Sequence, residues 1–283
     1  MNELYRTTGI SKQAVVQYER RQKIFDEKVM KLIVEADELR EAHPGCGVEK
    51  MYHTLRPDFI GRDRFVETFM DLGYRLKRTK NYRVTTRRGP WYYPNLIEGI
   101  TVNKASEVWQ SDITYIRVKD RFYYAVFIID VYTKKIVGYS LSDHMRATAN
   151  IQALEMALKD HDAPKFHHSD RGSQYIHKDY ISLLKQHNVN PSMGKMAQEN
   201  AYAERINGTI KNEFIKHWKP KSYKELRTMI RKAVRHYNQV RPHDSLGKKS
   251  PEDFIQQLSK TKSKQGESMT IFEYTNNNQN GQH

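Results

Sequence analysis

The sequence predicts an α/β protein, a mixed five-stranded sheet with flanking helices, preceded by a small all-α module. Three β-rich runs follow one another between Val108 and Leu141, separated by turns short enough for hairpins. Beyond them, short strands alternate with helical stretches, which adds parallel strands to a sheet that begins antiparallel. Before residue 74 the apolar residues recur at helical spacing instead.

A basic composition dominates the chain of 283 residues. Lys and Arg number 48 against 33 Asp and Glu, which gives a formal net charge of +15 and a pI near 9.6. This excess is typical of nucleic-acid binders, although ribosomal and membrane-surface proteins share it. The hydrophobic content of 38% is low, but 18 Tyr, 10 Phe and 3 Trp supply the bulk that a folded core needs.

Cysteine usage and hydropathy exclude several classes of protein. Because Cys46 is the single cysteine, neither an intrachain disulfide nor a zinc site with two thiolates can form. No apolar run reaches the ~18 residues that a transmembrane helix requires, and the first residues lack a secretory signal. We therefore expect a soluble, intracellular protein with no membrane partner.

The N-terminal region predicts a small DNA-binding module. Two short helical pieces over residues 3–22 surround a glycine-containing turn that ends in Ser11, a candidate N-cap, as in a helix-turn-helix. A plain helical hairpin or an oligomerisation arm is the alternative interpretation. Further helices are predicted over residues 23–42, 48–55 and 62–72, followed by a run over 74–88 rich in Lys and Arg. We expect this run to contact phosphates.

The remaining elements complete the predicted domain organisation. Strands are predicted over residues 108–118, 122–131, 136–141 and 165–169, and helices over 147–158, 178–187, 200–218 and 223–240, with a last capped turn at 250–254. The predicted domains are a helical DNA-binding region (1–88), a linker (89–104), a catalytic core (105–220), a C-terminal helical extension (221–258) and a disordered tail (259–283).

Three carboxylates occupy local settings that favour metal chemistry. Asp112 lies inside a strand of aromatic and β-branched residues, Asp170 follows a short strand and precedes Arg171-Gly172, and Glu204 lies on a polar stripe of a helix. An acid within a strand is unfavourable to bury unless it is paired or metal-bound, and acids at strand ends face the crevice where ligands bind. A sheet-edge acid, a loop cap and a solvated helix are the respective structural alternatives.

Ordered blocks of sequence around these acids resemble one family, the retroviral-integrase-type DDE transposases of bacterial insertion sequences, in particular their second-reading-frame catalytic subunit. The matching blocks include Trp109-Gln110-Ser111-Asp112-Ile113-Thr114-Tyr115, Asp130-Val131-Tyr132-Thr133 with Ile136-Val137-Gly138-Tyr139, His168-Ser169-Asp170-Arg171-Gly172, Asn200-Ala201-Tyr202-Ala203-Glu204, and Tyr237-Asn238 with Arg241-Pro242-His243. The resemblance spans residues 40–256. It departs from the family in spacing, because 33 residues separate Asp170 from Glu204, slightly fewer than usual. Glu199 is the fallback if the register differs.

The resemblance implies an RNase H-like integrase core in which Asp112, Asp170 and Glu204 form the catalytic, metal-binding triad. Two Mg²⁺ or Mn²⁺ ions are the implied cofactors, and double-stranded DNA, both element ends and target, is the implied substrate. Metal-dependent cleavage at the element ends and 3′-hydroxyl strand transfer into target DNA are the implied reactions. A homo-oligomer on DNA, a first-reading-frame product as partner, and a bacterial cytoplasmic, nucleoid-associated location are further expectations.

Further residues around the acids have secondary roles. The predicted DNA-binding residues are Lys211, Arg171, Lys195, Asn200 and Asn207, and the two asparagines could instead orient the carboxylate. His168 is interpreted as a packed strand histidine, because a two-metal mechanism needs no general base. Asp130 is interpreted as a residue that shapes a turn, because it lies at a strand end before Thr133. The competing functions are an RNase H-like nuclease without strand transfer and a non-catalytic DNA-binding regulator.

Overall fold

The computed structural model describes residues 11–76, 91–260 and 268–271. The chain divides between residues 77 and 78 into two compact units. The described part of the N-terminal unit contains helices α1 (Lys12–Ala42), α2 (Val48–Leu55) and α3 (Arg62–Asp71). Their buried side chains form one small core, in which the rings of Phe65 and Phe69 stack at a centroid distance of 4.2 Å.

Helix α1 runs unbroken where the sequence analysis predicts two separate helices. It begins with Ser11, whose Oγ accepts a hydrogen bond of 3.1 Å from the Ala14 amide, as predicted for an N-cap. No glycine or proline occurs between Lys12 and Ala42, so nothing interrupts the helix at the predicted boundary near Lys23. The first half of the predicted helix-turn-helix and most of the basic run lie outside the described residues.

The second unit is built on a mixed five-stranded sheet, which confirms the predicted fold class. The strands in chain order are β1 (Thr101–Val102), β2 (Val108–Val118), β3 (Arg121–Asp130), β4 (Ile136–Ser142), β5 (Phe166–Ser169), β6 (Asn190–Met193) and β7 (Met269–Thr270). In the five-stranded sheet the order is β4-β3-β2-β5-β6. Neighbours among β2, β3 and β4 are antiparallel, whereas β5 is parallel to β2 and β6 is parallel to β5.

Helices cover both faces of this sheet. They are α4 (Ala147–Asp160), α5 (Lys178–Gln186), α6 (Ala201–Thr209), α7 (Tyr223–Gln239) and α8 (Pro251–Lys260). Side chains alternate along β3, so that Phe127 packs in the core beneath α6 and α7, whereas Val126 and Ile128 pack in the core beneath α4 and α5. Among the helices that the structure describes, none combines the length and apolar character that crossing a membrane requires.

Strand β6 is an element that the sequence analysis does not locate. The fold class predicts five strands, but only four are assigned to residues, because Asn190-Pro191-Ser192-Met193 has the composition of a turn. Pro191 lacks an amide hydrogen and is excluded from central strands, but it is tolerated at an edge. The position of β6 at the edge of the sheet, paired only with β5, therefore explains both the strand and the missed prediction.

The ends of this unit are more ordered than the predicted linker and tail. Strand β7 pairs with β1, and Ile271 packs with Ile97 and Val102 in a separate small apolar cluster. The prediction of disorder from residue 259 is wrong for residues 259–260, which belong to α8, and for Met269–Thr270, which pair with β1. The rest of the tail from residue 272 lies outside the described residues.

A close approach between β4 and α4 requires glycine at position 138. A Cβ there would collide with the carbonyl oxygen of Ala153 and lie 2.9 Å from the Cβ of Ala157. We expect Gly138→Ala to lower the free energy of unfolding by about 1–3 kcal/mol, because the helix must move away from the sheet. Urea denaturation followed by circular dichroism measures the change.

Gly208→Ala is the matched control. Gly208 is helical, and a Cβ added there would have Asn212 Nδ2, at 3.9 Å, as its nearest neighbour. Alanine should therefore leave stability unchanged or raise it by about 0.5–1 kcal/mol. Equal effects of the two substitutions would contradict the close packing of β4 on α4.

Candidate active site

Two of the candidate acids lie side by side, one within β2 and the other directly after β5. Strands β2 and β5 are parallel, and Ser111 is paired with Ser169. Asp112 directly follows Ser111 and Asp170 directly follows Ser169, so the backbones of the two acids are separated by about one strand spacing, ~4.8 Å. The Oδ1 of Asp170 accepts a hydrogen bond of 3.0 Å from the Gly172 amide, which turns the chain sharply after the strand.

The start of helix α6 is fastened to β2 by side-chain amides. Gln110 donates to the Glu199 carbonyl at 3.2 Å and accepts from the Tyr202 amide at 3.1 Å. Asn200 donates to the Ser111 carbonyl at 2.9 Å. Gln110 and Asn200 are both buried, so these bonds are shielded from water. They fix the position of the helix that carries Glu204 relative to the strand that carries Asp112.

A fourth bond links the same helix to the Asp112 carboxylate itself. Asn207, buried one turn beyond Glu204, donates to Asp112 Oδ2 at 2.8 Å. Further along, the Lys211 Nζ lies 5.2 Å from the ring centroid of Tyr115. Burial lowers the pKa of Lys211, Lys216 lowers it further, and the negative charge of Asp112 acts in the opposite direction. Lys211 is therefore within electrostatic range of Asp112.

The three acids form one electrostatic group. The pKa of Asp112 is raised to about 7, first by burial and next by the charge of Asp170, with a smaller contribution from Glu204. The pKa of Glu204 is also raised, by partial burial and by the charge of Asp170. The charge of Asp170 thus acts on both other acids, and a cation near them would relieve this repulsion.

The donor chemistry fits a divalent cation, but the ligand set is not closed. All three side chains offer carboxylate oxygens, the ligands that Mg²⁺ prefers. Within the described parts of the chain, however, no group of three or more His, Cys, Asp or Glu residues is arranged to hold a metal ion. Glu204 is exposed on its helix. The site therefore brings the carboxylates into mutual electrostatic range without forming a complete metal cage.

The predicted DNA-binding residues fall into two groups. Arg171 and Lys211 are partly exposed and Lys195 is exposed. Arg171 directly follows Asp170, and Lys211 is within electrostatic range of Asp112. Lys195 follows Gly194, whose amide donates to the Ser169 carbonyl at 2.9 Å. Asn200 and Asn207 are instead buried, and their amides contact Ser111 and Asp112. The structure thus places the two asparagines beneath the acids rather than at the protein surface.

Three nearby residues that could compete for a catalytic role have structural contacts. His168 is buried, its Nδ1 lies 2.8 Å from Ser192 Oγ, and burial lowers its pKa to about 3, so the imidazole is neutral. Asp130 accepts hydrogen bonds from Thr133 and from the Ser106 amide, which confirms that it shapes a turn. Glu199 is buried, and its Oε2 accepts from the Lys195 amide at 2.5 Å.

Comparison with known proteins identifies the family. Two family models, both described as integrase core domain, match residues 102–198 and 187–251. The transposase for insertion sequence element IS629 of Shigella sonnei is 37% identical over 220 residues, covering 75% of this chain and 74% of that protein. This chain belongs to the IS3-family transposases. The family resemblance predicted from the sequence blocks is confirmed.

Other relatives match a similar share of this chain. A 31 kDa uncharacterized protein of insertion element IS600 from Shigella sonnei is 34% identical over 203 residues, covering 69% of this chain and 75% of the relative. Transposase InsF for insertion sequence IS3A of Escherichia coli (strain K12) is 31% identical over 190 residues, covering 64% of this chain and 66% of that protein. Among solved structures, the HTLV-2 integrase catalytic core domain in complex with magnesium (dimeric form) matches at 19% identity and a TM-score of 0.45, covering 53% of this chain and 97% of that one.

The transposase also contains a feature near the site that sequence reasoning misses. Helix α6 continues into a π-helical turn at Ile210–Ile215 and a final helical turn at Lys216–Trp218. Within the π turn, Glu213 accepts two hydrogen bonds of 2.8 Å from Arg241 in a bidentate pair that is largely buried. The Arg241-Pro242-His243 block marks this position in sequence, but nothing in the pattern indicates Glu213 as its partner.

The elevated pKa of Asp112 predicts a pH-dependent gain of stability on neutralisation. Because the folded-state pKa, about 7, lies above the ordinary 3.8, the stability present below pH 3.8 is lost as the pH rises through 7. In metal-free buffer we expect Asp112→Asn to raise the free energy of unfolding by about 1–2 kcal/mol at pH 8, with the gain shrinking toward pH 4. Urea denaturation across this pH range measures the difference.

Asp120→Asn provides the control for this experiment. Asp120 lies in the turn between β2 and β3, and its side chain is 98% exposed beside Arg117. Its substitution should shift stability by no more than about 0.5 kcal/mol at any pH. A loss of stability in Asp112→Asn at every pH would contradict the electrostatic group, because it would mark Asp112 as a structural residue.

Proposed function

We propose that this transposase cleaves DNA strands at the ends of its insertion sequence and joins the freed 3′ hydroxyls to target DNA. Asp112, Asp170 and Glu204 are the proposed catalytic and metal-binding residues. The observation that carries the proposal is that strand register sets Asp112 beside Asp170, and that the charges of Asp170 and Glu204 both raise the pKa of Asp112. These acids occur in a chain whose net charge is +15. Membership of the transposase family supplies DNA as the substrate.

The proposed cofactors are two Mg²⁺ or Mn²⁺ ions, held by the three carboxylates. A bound pair of such ions activates the attacking oxygen and stabilises the charge on the leaving oxygen in a phosphodiester displacement. Asn207 holds one oxygen of Asp112 through its amide, which orients the carboxylate. Asn200 and Gln110 hold the start of α6 against β2, which fixes the helix that carries Glu204 relative to the strand that carries Asp112.

The proposed reaction consists of two displacements at phosphorus. In cleavage, water attacks the phosphodiester at the element end, the P–O3′ bond breaks, and the element strand is left with a 3′ hydroxyl. In strand transfer, that hydroxyl attacks a target phosphodiester, a new P–O3′ bond forms, and the displaced target strand carries the leaving 3′ hydroxyl. Two element ends must be held together for concerted insertion, so we propose that the chain acts as a homo-oligomer on DNA.

Cations around the acids are proposed to hold the DNA backbone. Lys211 lies within electrostatic range of Asp112, Arg171 follows Asp170 in the chain, and Lys195 follows the end of β6 at the same edge of the sheet. Their charge offsets the repulsion between phosphates and the acidic triad. The buried Asn200 and Asn207 act on this DNA site only by positioning the acids.

Neutralising each acid should abolish catalysis while DNA binding persists. We expect Asp112→Asn, Asp170→Asn and Glu204→Gln each to reduce Mg²⁺-dependent nicking and joining of labelled DNA by at least about 100-fold. Duplex affinity should be retained or improved, because one negative charge near phosphate is removed. Mg²⁺ should also raise the melting temperature of the unsubstituted chain and have a smaller effect on each variant.

Asp179→Asn is the matched control for the triad. Asp179 lies in the first turn of α5, on the opposite face of the sheet, and its side chain is 62% exposed. This variant should nick and join DNA as the unsubstituted chain does. Nicking that depends on the triad but never yields joined products would favour a nuclease, and unchanged nicking in all three variants would favour a regulator without catalytic activity.

The salt dependence of duplex binding tests the proposed backbone contact of Lys211. We expect Lys211→Ala to weaken binding and to reduce the slope of log affinity against log salt by about one unit, because one fewer counterion is released. Fluorescence anisotropy over a salt series measures the slope. The exposed Lys185 on α5 is the control position, where alanine should leave the slope unchanged. An identical slope in Lys211→Ala would place Lys211 away from the DNA.

A further inference from the structure

An aromatic run ahead of the catalytic core presents two outward rings. Trp91 and Tyr92 are 48% and 54% exposed, although each is large enough to contribute to a core. Tyr93, the next residue, is partly buried against the cluster that contains Trp109, and its ring contacts that of Trp91 edge to face at 5.3 Å. The run is therefore anchored at Tyr93, while Trp91 and Tyr92 face outward.

Hydrogen bonds to β6 place these rings near the carboxyl ends of β5 and β6, the end of the sheet at which Asp170 lies. The Met193 amide donates to the Pro94 carbonyl at 3.3 Å, and the Leu96 amide donates to Ser192 Oγ at 2.9 Å. The segment thus runs opposite to β6, and the residues before Pro94 extend past the carboxyl end of β6. Because Ser169 and Met193 are paired in register, Asp170 emerges at that same end.

Arg171 joins the exposed rings to the candidate active site. Its guanidinium carbon lies 3.5 Å from the ring centroid of Tyr92, a stacking distance, and Arg171 is the residue directly after Asp170. The Arg171 Nε is buried with no hydrogen-bond partner among the described residues. A flat cation and two exposed aromatic rings are therefore grouped within one residue of a proposed metal ligand.

We propose that Tyr92, Trp91 and Arg171 form a stacking platform for an unpaired nucleobase next to the scissile phosphate. This inference rests on the proposed function for its DNA substrate. Aromatic rings and guanidinium planes both stack on nucleobases, whatever the base, because every base has a π face. Within a duplex those faces are covered by neighbouring bases, so the platform selects a base that is displaced from pairing near the reacting phosphate.

Charge favours a nucleic acid as occupant over an apolar protein surface. The platform contains the Arg171 cation and belongs to a chain of net charge +15. An apolar partner would have to remove water from this partly exposed guanidinium, which is unfavourable, whereas a nucleotide offers a π face to the rings and a phosphate charge to the cation. The same three side chains can therefore bind both parts of one nucleotide.

The test compares two DNA molecules of the same sequence that differ only in pairing. One is a blunt duplex, and the other is a fork whose last bases are unpaired and contain 2-aminopurine. Binding of the full-length chain is measured by anisotropy, and stacking by quenching of 2-aminopurine fluorescence, both in Ca²⁺ without Mg²⁺ so that binding is followed without strand cleavage. We expect tighter binding to the fork and quenching of the probe.

Tyr92→Ala and Trp91→Ala should each weaken fork binding by about 5- to 100-fold and reduce quenching, with less than about a 2-fold effect on the blunt duplex. Tyr92→Phe should retain fork binding, because the ring persists. Phe122→Ala is the control, since Phe122 is also an exposed aromatic ring, 40% exposed, at the start of β3. It should leave both affinities unchanged.

The outcomes separate this inference from the proposed function. An abasic fork should bind the unsubstituted chain and Tyr92→Ala equally, because no base remains to stack. Equal losses on fork and blunt duplex, or no loss in Tyr92→Ala and Trp91→Ala, would overturn the platform. Because the assay requires no cleavage, base stacking in a chain that never joins DNA would contradict the proposed function and leave the platform standing.

Discussion

The arrangement of the candidate site depends on one buried attachment, the hydrogen-bonded junction between β2 and the entrance of α6. Gln110 and Asn200 fasten the helix entrance, and Asn207 reaches the Asp112 carboxylate. Polar bonds shielded from water are strong and directional, whereas packing alone would tolerate sliding. Strand register brings Asp112 beside Asp170, and this junction fixes the start of the helix that carries Glu204. The charges of Asp170 and Glu204 then raise the pKa of Asp112, and the charge of Asp170 raises that of Glu204.

Helix α7 and the residues that follow it hold the far end of the helix that carries Glu204. Asn238 pairs both its amide groups with the backbone of Ile136 at 2.9 Å, which attaches α7 to the beginning of β4. Arg241, just beyond α7, forms a bidentate ion pair with Glu213 in the π turn. The sequence blocks around Tyr237-Asn238 and Arg241-Pro242-His243, which carry no reactive group of the proposed mechanism, therefore have a physical role. They hold the helix of Glu204 from its other end.

Patterns of local origin were predictable from the sequence, and long-range pairings were not. Alternating side chains gave the bounds of β2 as Val108–Val118, and the placement of Asp112 on the face of Gln110 follows from the same period of two. Strand β6 was not predicted because proline is typical of turns, and only the fold shows that Pro191 lies in an edge strand. The π turn and the pairing of Arg241 with Glu213 were not predicted, because both depend on contacts between residues that are distant in sequence. The three acids were nominated by local setting, but their electrostatic coupling needed the fold.

The short pairing of β1 with β7 has a practical consequence for protein production. Met269 and Ile271 lie beyond a Lys-rich stretch that invites truncation, yet Val102 and Ile97 are completely buried beneath them and their neighbours. A chain shortened after α8 would leave β1 without a partner strand and expose the apolar side chains of this cluster to water. Preparations intended for crystallisation or storage should therefore retain the sequence through Ile271.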